Sequence, residues 1–284
     1  MRVLVTGAGG LLGAAIVREF QQVADVHATG HRNLDVGDAD AVAARVRSVR
    51  PDVIINCAAY NDVDGAQRDP AAALRVNAFG VLTLARAAAR AEATFVHYST
   101  DFVFDGKASR PYSEDDQPNP PSVYGASKLL GDWFASDAPR AYVLRVESLF
   151  GEPGPEGARR GSLATIVQRI RSGGEVPIFT DRTVSPSYTT DIARATRAAL
   201  ERAIPHGLYH CANEGAASWA IVAEEAARLL KRPLRMRPIT LATANLTAPR
   251  PQYCALSSAK LNAAGIVMPS WQDALARYLA RASD

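Results

Sequence analysis

In "SVYGASK", Tyr124 stands four residues before Lys128, a spacing that puts a phenol and an amine on one face of a helix. A phenol with an ordinary pKa near ~10 is a poor acid–base group at neutral pH, and an ammonium beside it would favour the phenolate and lower that value. Upstream, "YSTDFVFDG" follows a strand-like run and sets Ser99, Thr100 and Asp101 at its end. The Thr100 hydroxyl can bond the same carbonyl or alcohol oxygen that Tyr124 protonates. Together Thr100, Tyr124 and Lys128 suit proton transfer to a ketone that receives a hydride from a nicotinamide, with Lys128 also able to bond the nicotinamide ribose. Tyr-x-x-x-Lys is common by chance. Its weight comes from its place after a glycine-rich turn and a strand-end Ser-Thr.

That turn is "TGAGGLLG". Gly7 can make the sharp bend, Gly10 lets backbone approach a pyrophosphate, and Gly13 lets the helix pack on the sheet, with Leu11 and Leu12 in the first helical turn. The spacing is GxxGxxG, a looser fingerprint than GxGxxG. After the second strand, "VHATGHRN" has no acidic side chain to hold ribose hydroxyls, and Arg32 could face a 2′-phosphate. The expected cofactor is NADPH, or NADH if both are tolerated. Asp35 and Val36 either meet the adenine or start the next helix.

Around these residues the chain alternates strand and helix. "RVLVTG", "VADVHATG", "PDVIINCAA", "TFVHYST" and "RAYVLRV" read as buried strands, separated by helical stretches that include "DADAVAARVRSVR", with Asp38 as its cap. Nearly continuous apolar strands between helices predict an α/β fold, a Rossmann-type doubly wound parallel sheet. Beyond residue 147 the order loosens at "GEPGPEGARRG". Helices are expected near 162–172, 190–203, 216–231 and 271–281, and short strands near 176–179 and 207–212. The expected division is a dinucleotide-binding domain of 1–147, 182–206 and 240–256. The remaining 148–181, 207–239 and 257–284 form a smaller C-terminal substrate domain.

The chain has 284 residues, 48% hydrophobic and 21% charged, and a net charge of +3 from 32 basic and 29 acidic residues. So small an excess gives no electrostatic case for nucleic acid or an anionic membrane. Cys57, Cys211 and Cys254 are odd in number and far apart, which fits free thiols in a reducing compartment. No apolar run is expected to span a bilayer. A cytoplasmic location is the expectation. No compact set of metal ligands is legible, and a homodimer is possible without an identifiable interface.

The motifs "VLVTGAGGLLG", "RPDVIINCAAYNDVDGAQ", "YSTDFVFDG", "YSEDDQPNPPSVYGASKLLGD", "DRTVSPSYTTDIA" and "RPQYCAL" span nearly the whole chain. In them it resembles the extended short-chain dehydrogenases/reductases, and within these the dTDP-4-dehydrorhamnose reductase group. The resemblance implies reduction of the 4-keto group of a dTDP-linked 4-keto-6-deoxyhexose by NADPH or NADH. It assigns Thr100, Tyr124 and Lys128 as the catalytic trio. It places Asn56, Cys57, Ala58, Ala59 and Tyr60 beside the cofactor with Ser99, and makes Asn77 a support for the active-site backbone. Asp62, Val63, Asp101, Phe102 and Phe104 fall near the sugar, and Arg250 and Gln252 face the nucleotide, with Arg250 suited to a diphosphate. One departure stands out. Where the group has an "RTSW"-like run, this chain has "RVESLFG", with Glu147 and then Ser148 at the tryptophan's position. Rival readings are a nucleotide-sugar epimerase and a non-catalytic subunit like the regulatory subunit of methionine adenosyltransferase. A 4,6-dehydratase would need a second acid after Asp101, where Phe102 stands.

Overall fold

In the computed structural model, which describes residues 1–154 and 161–281, the chain opens as a regular alternation. It runs β1 (Arg2–Thr6), α1 (Leu11–Phe20), β2 (Asp25–Thr29), α2 (Ala39–Val49) and β3 (Val53–Asn56). Next come α3 (Val63–Arg68), α4 (Pro70–Leu74), a π-helical turn (Arg75–Phe79) and α5 (Gly80–Arg90). Then follow β4 (Thr94–Thr100), α6 (Val123–Ala135) and β5 (Ala141–Val146). The second half is β6 (Leu149–Phe150), α7 (Ser162–Arg171), β7 (Val176–Phe179), β8 (Thr183–Val184), β9 (Ser187–Tyr188) and α8 (Thr189–Glu201). It ends with β10 (Gly207–His210), β11 (Ala217–Ser218), α9 (Trp219–Leu230), β12 (Met236–Ile239), α10 (Ala259–Ala263) and α11 (Trp271–Arg281). Much of the Gly/Pro-rich stretch after residue 150 lies outside the described residues.

Six strands form one parallel sheet in the order β10-β5-β4-β3-β1-β2. Because side chains alternate along a strand, Val3 and Val5 enter one core with Ile16, Phe20, Ile192 and Tyr209. Leu4 enters the other core with Val46, Ile54, Leu84 and Phe95. Each such fully buried side chain contributes about 1.5–3 kcal/mol, so the sheet is held from both faces. The chain order reverses at β1, and the crevice at such a switch point is where open α/β sheets take ligands. A separate core of Phe150, Leu163, Ile166, Ile178, Val222, Trp271 and Leu275 builds the smaller lobe from α7, α9, α11 and short strand pairs.

The structure redraws part of the expected division. Gly207–His210 pairs in parallel with β5 and so joins the main sheet, not the smaller lobe. Leu261, Ile266 and Met268 likewise pack into the main core. A four-residue strand carries no mark of which sheet edge it will meet. Asp38 caps α2 as expected, accepting from the Asp40 and Ala41 amides at 3.1 and 3.0 Å.

The alanine-rich helix holds a surprise. It is interrupted by the π turn at Arg75–Phe79, which packs against α6. π turns of this kind recur at functional sites. The 21-residue run Pro70–Arg90, with mean hydropathy 1.2, is also long and apolar enough to cross a bilayer, where none was expected. Half of that window is buried inside the fold, the pattern of a core helix.

Candidate active site

The first turn is built around two close backbone approaches. Gly7 sits at φ +67°, and a Cβ there would lie 2.5 Å from the Ala58 nitrogen and the Cys57 carbonyl carbon. A Cβ on Gly13 would lie 2.2 Å from the Gly7 oxygen. Only glycine permits β1, the loop after β3 and the start of α1 to meet so closely. Gly10 caps α1 without a side-chain hydrogen bond, and the first turn carries no acidic residue. Its amides and positive dipole end therefore face the crevice uncontested, the arrangement a pyrophosphate needs.

From this turn a cleft of about 710 Å³ runs along the carboxyl ends of the strands. Gly10, Leu11, Leu12, Gly13, Cys57, Ala58 and Ala59 line its start, and Ser99, Thr100, Tyr124 and Lys128 its middle. Asp101, Phe102, Val63, Ser148 and Arg250 complete it on the side of the smaller lobe. A recess of about 340 Å³ continues past Gly7, Asp35, Val36, Cys57 and Tyr60 to His31. The two share Gly9, Gly10, Cys57, Ala58, Ala59 and Asn61. Such an elongated site, with an anion cradle at its waist, fits a dinucleotide.

Some expected residues lie elsewhere. Arg32 is exposed and outside the lining of the recess. Asp35 is engaged by the Gly37 amide at 2.9 Å and by the Arg75 guanidinium. Phe104 is 1% exposed and stacks on Tyr112 at 4.1 Å, in a small core away from the cleft. Gln252 is exposed and gives its backbone oxygen to the Thr183 amide. Asp62 caps α3, accepting from the Gly65 amide at 3.0 Å. Asn77 lies below the site. Its side chain accepts from the Tyr60 amide at 2.8 Å and donates to the Tyr60 oxygen at 3.1 Å and to Ser127 Oγ at 3.0 Å. It thus ties the loop after β3 to the helix that carries Lys128. Asn56 does similar work, accepting from Thr6 Oγ1 at 2.7 Å and from the Ala58 amide at 3.1 Å.

At the centre, α6 presents Tyr124 and Lys128 on one buried face. The Tyr124 phenol points to Asn61, with Oδ1 at 3.5 Å, and Phe102 stands edge-on to its ring. Lys128 Nζ donates to the Tyr98 carbonyl at 2.6 Å. Burial lowers the amine to about 8, while Asp132 and Cys57 pull the other way. The phenol departs from expectation. Burial pushes it well up, and the Asp101 charge adds to this; the Thr100 hydroxyl pulls it down. Lys128 is not among the groups acting on it, because the amine is turned onto Tyr98. Tyr124 is consequently a fully protonated phenol at neutral pH, the form from which a proton is given.

Several lining residues carried no signal of their own in the sequence. Arg182 stands half-buried beside Asp101 and Glu147, and Trp219 and Asn61 also line the cleft. Arg182 lies within "DRTVSPSYTTDIA", a run distinctive as a whole and silent about which side chain faces inward. Asp101, Glu147 and Cys254 also converge, with polar atoms all within 4.8 Å of one another. They are widely separated in sequence, so no spacing rule finds them.

The family model for the RmlD substrate binding domain matches residues 1–283. The chain belongs to the RmlD family. Among curated relatives, a probable dTDP-4,6-dihydroxy-2-methyloxan-3-one 4-ketoreductase of Streptomyces antibioticus is 38% identical over 97% of this chain and 93% of its own length. A dTDP-4-dehydrorhamnose reductase of Mycobacterium tuberculosis is 37% identical over 98% and 92%. A crystal structure of a Clostridium acetobutylicum dTDP-4-dehydrorhamnose reductase superposes with a TM-score of 0.92 at 31% identity, covering 100% of both chains. The Bacillus anthracis enzyme in complex with NADP matches with a TM-score of 0.92 at 29% identity, covering 99% of both. A Thermus thermophilus UDP-glucose 4-epimerase shares the fold, with a TM-score of 0.85 at 22% identity over 99% of this chain and 98% of its own.

Proposed function

We propose that this chain is an NAD(P)H-dependent oxidoreductase that reduces the 4-keto group of a dTDP-linked 4-keto-6-deoxyhexose, dTDP-4-dehydrorhamnose to dTDP-rhamnose. The observation that carries the reading is the convergence of Thr100, Tyr124 and Lys128 midway along a cleft with a phosphate cradle at one end. Arg182 and Arg250 line the same cleft and suit the diphosphate of the sugar nucleotide. The curated relatives named for different 4-keto sugars support a reaction at that ketone, with the rest of the sugar varying. NADPH is the favoured reductant, since Asp35, the acidic side chain in the outer recess, is neutralised by Arg75.

The residues divide the work. A bound reduced nicotinamide supplies hydride to the ketone carbon. Thr100 and Tyr124 hold the ketone oxygen, and Tyr124 delivers the proton that the developing alkoxide requires. Its high pKa keeps that proton loaded until negative charge builds on the substrate oxygen. Lys128, with Asp132 one helical turn away supporting its charge, would supply a cation to the nicotinamide ribose when the dinucleotide is bound. Asn77 and Asn56 fix the loop against which the dinucleotide lies.

The test is oxidation of NADPH, and separately of NADH, with dTDP-4-dehydrorhamnose. Removing a positioned general acid costs about 10²–10⁴-fold, so Tyr124→Phe should lose that much in kcat and keep dinucleotide affinity. A wild type that binds the dinucleotide and sugar nucleotide without turnover sinks the reading. So does a Tyr124→Phe variant as fast as wild type.

A further inference from the structure

Two carboxyl groups leave the sheet side by side. The β4–β5 register pairs Thr100 with Val146, so the following residues, Asp101 and Glu147, emerge together at the carboxyl end. Both line the cleft, yet they are only 4% and 1% exposed. Thr100 Oγ1 donates to Asp101 Oδ1 at 3.0 Å, and the same hydroxyl bears on the Tyr124 phenol. Glu147 accepts from Ser148 Oγ at 2.8 Å and from the Ser185 amide. The charged and titratable groups facing the pair are Arg182, Cys254, Tyr253 and Tyr124.

The charges around this pair do not balance if both acids ionise. Among the described residues Arg182 is the one cation acting on them, and its hydrogen bonds go to the Pro251 oxygen and Cys254 Sγ, each at 3.2 Å. Two buried carboxylates against one guanidinium would leave a net negative charge in a poorly solvated place, so one acid keeps its proton. Burial accordingly raises Asp101 to about 6 and Glu147 to about 8, with the Asp101 charge adding to the latter. Cys254 lies with the pair, and Arg182 brings positive charge to all three groups.

We propose that the Asp101–Glu147 pair stores a proton which Thr100 passes to Tyr124 after each reduction. The inference rests on the reductase reading and adds two residues that act through Thr100. Once the Tyr124 O–H proton has gone to the product oxygen, a phenolate is left. The Thr100 hydroxyl proton moves to that phenolate, and a carboxyl O–H of the pair gives its proton to the Thr100 oxygen. The pair is then doubly ionised against Arg182 and recovers one proton from water as product leaves. Only protons move: Asp101 is the member bonded to Thr100, at 3.0 Å, and Glu147, with a carboxyl oxygen within 4.8 Å of Asp101, restores the proton that Asp101 gives up. The position where the "RTSW"-like pattern has serine thus carries an acid that works with Asp101.

The experiment combines infrared difference spectra of the ligand-free protein across a pH titration with the pH profile of NADPH oxidation on dTDP-4-dehydrorhamnose. Wild type and Glu147→Gln are compared, each first shown to bind NADPH. Wild type should lose an un-ionised carboxyl band with a midpoint near 8, and its rate should fall above the same pH. In Glu147→Gln, Asp101 stands alone with Arg182 and ionises earlier. The alkaline fall in rate should then move at least one unit lower, which makes the rate at the wild-type midpoint about fivefold smaller than that of wild type. Turnover with superimposable pH profiles, or a wild type without the carboxyl band, overturns the proton store and leaves the reductase reading standing. Absence of turnover in wild type overturns the reductase reading and the relay with it.

Discussion

Gly7 and Gly173 share one backbone conformation, φ +67° and +68°, and differ in what surrounds them. A Cβ at Gly173 would meet nothing within 4 Å, whereas at Gly7 it would strike the Cys57–Ala58 backbone at 2.5 Å. The pair therefore separates the cost of a left-handed residue from the cost of filling a close approach. Gly173→Ala should lose about 1–2 kcal/mol, the penalty of a Cβ in that conformation. Gly7→Ala should lose this and about 1–3 kcal/mol more for forcing backbone apart in a packed site. In a chain of this size the difference lowers Tm by roughly 2–9 °C more than Gly173→Ala does, at about 2–3 °C per kcal/mol. The functional effect should split more sharply. Gly7→Ala pushes the turn from the loop bearing Cys57, Ala58 and Ala59 and should weaken dinucleotide binding at least tenfold, on the order of 1.4 kcal/mol. Gly173→Ala, at the far end of α7, should bind as wild type does. Calorimetric unfolding and dinucleotide titration of the two variants decide the matter. Equal losses of stability, with unchanged affinity in Gly7→Ala, would refute the claim that the approach at Gly7 shapes the cradle.

Two further outcomes follow from buried polar groups. Asp132 and Arg145 form an ion pair at 3.1 Å, exposed by only 6% and 3%. Asp132→Asn strands the guanidinium and should cost about 3–5 kcal/mol in urea unfolding. It should also lower the Lys128 pKa further, since Asp132 is the foremost group holding it up, and a pH profile would show this as an earlier alkaline loss. His210 is held neutral, its pKa lowered to about 3 by burial and the Arg145 charge. A depressed folded pKa gives stability that is present above the ordinary histidine value of ~6.5 and is lost as pH falls towards the folded value. His210→Asn keeps a donor for the Tyr112 oxygen and should flatten the stability–pH curve between about pH 4 and 6, by up to about 1.4 kcal/mol per pH unit. Superimposable curves from chemical denaturation would show that His210 takes up its proton without unfolding.

What the sequence by itself determined was local. The alternation of apolar runs and helical stretches specifies the parallel sheet, because a strand buried on both faces must be apolar throughout. The glycines of the first turn, the Asp38 cap and the one-turn spacing of Tyr124 and Lys128 are properties of a few consecutive residues, and each is legible where it stands. Thr100 was placed by its strand, whose end had to open on the crevice. Only the tertiary structure decided the contacts between residues far apart. It brought β10 to β5, set Arg182 beside Glu147 and Asp101, and turned Phe104 and Gln252 away from the cleft. It also reversed the expected shift of Tyr124, because burial and the Asp101 charge act on the phenol while Lys128 is committed to Tyr98. A pKa depends on everything within a few ångströms, whatever its distance along the chain. Spacing places the phenol and the amine on one helix face; the packed surroundings determine how tightly each holds its proton.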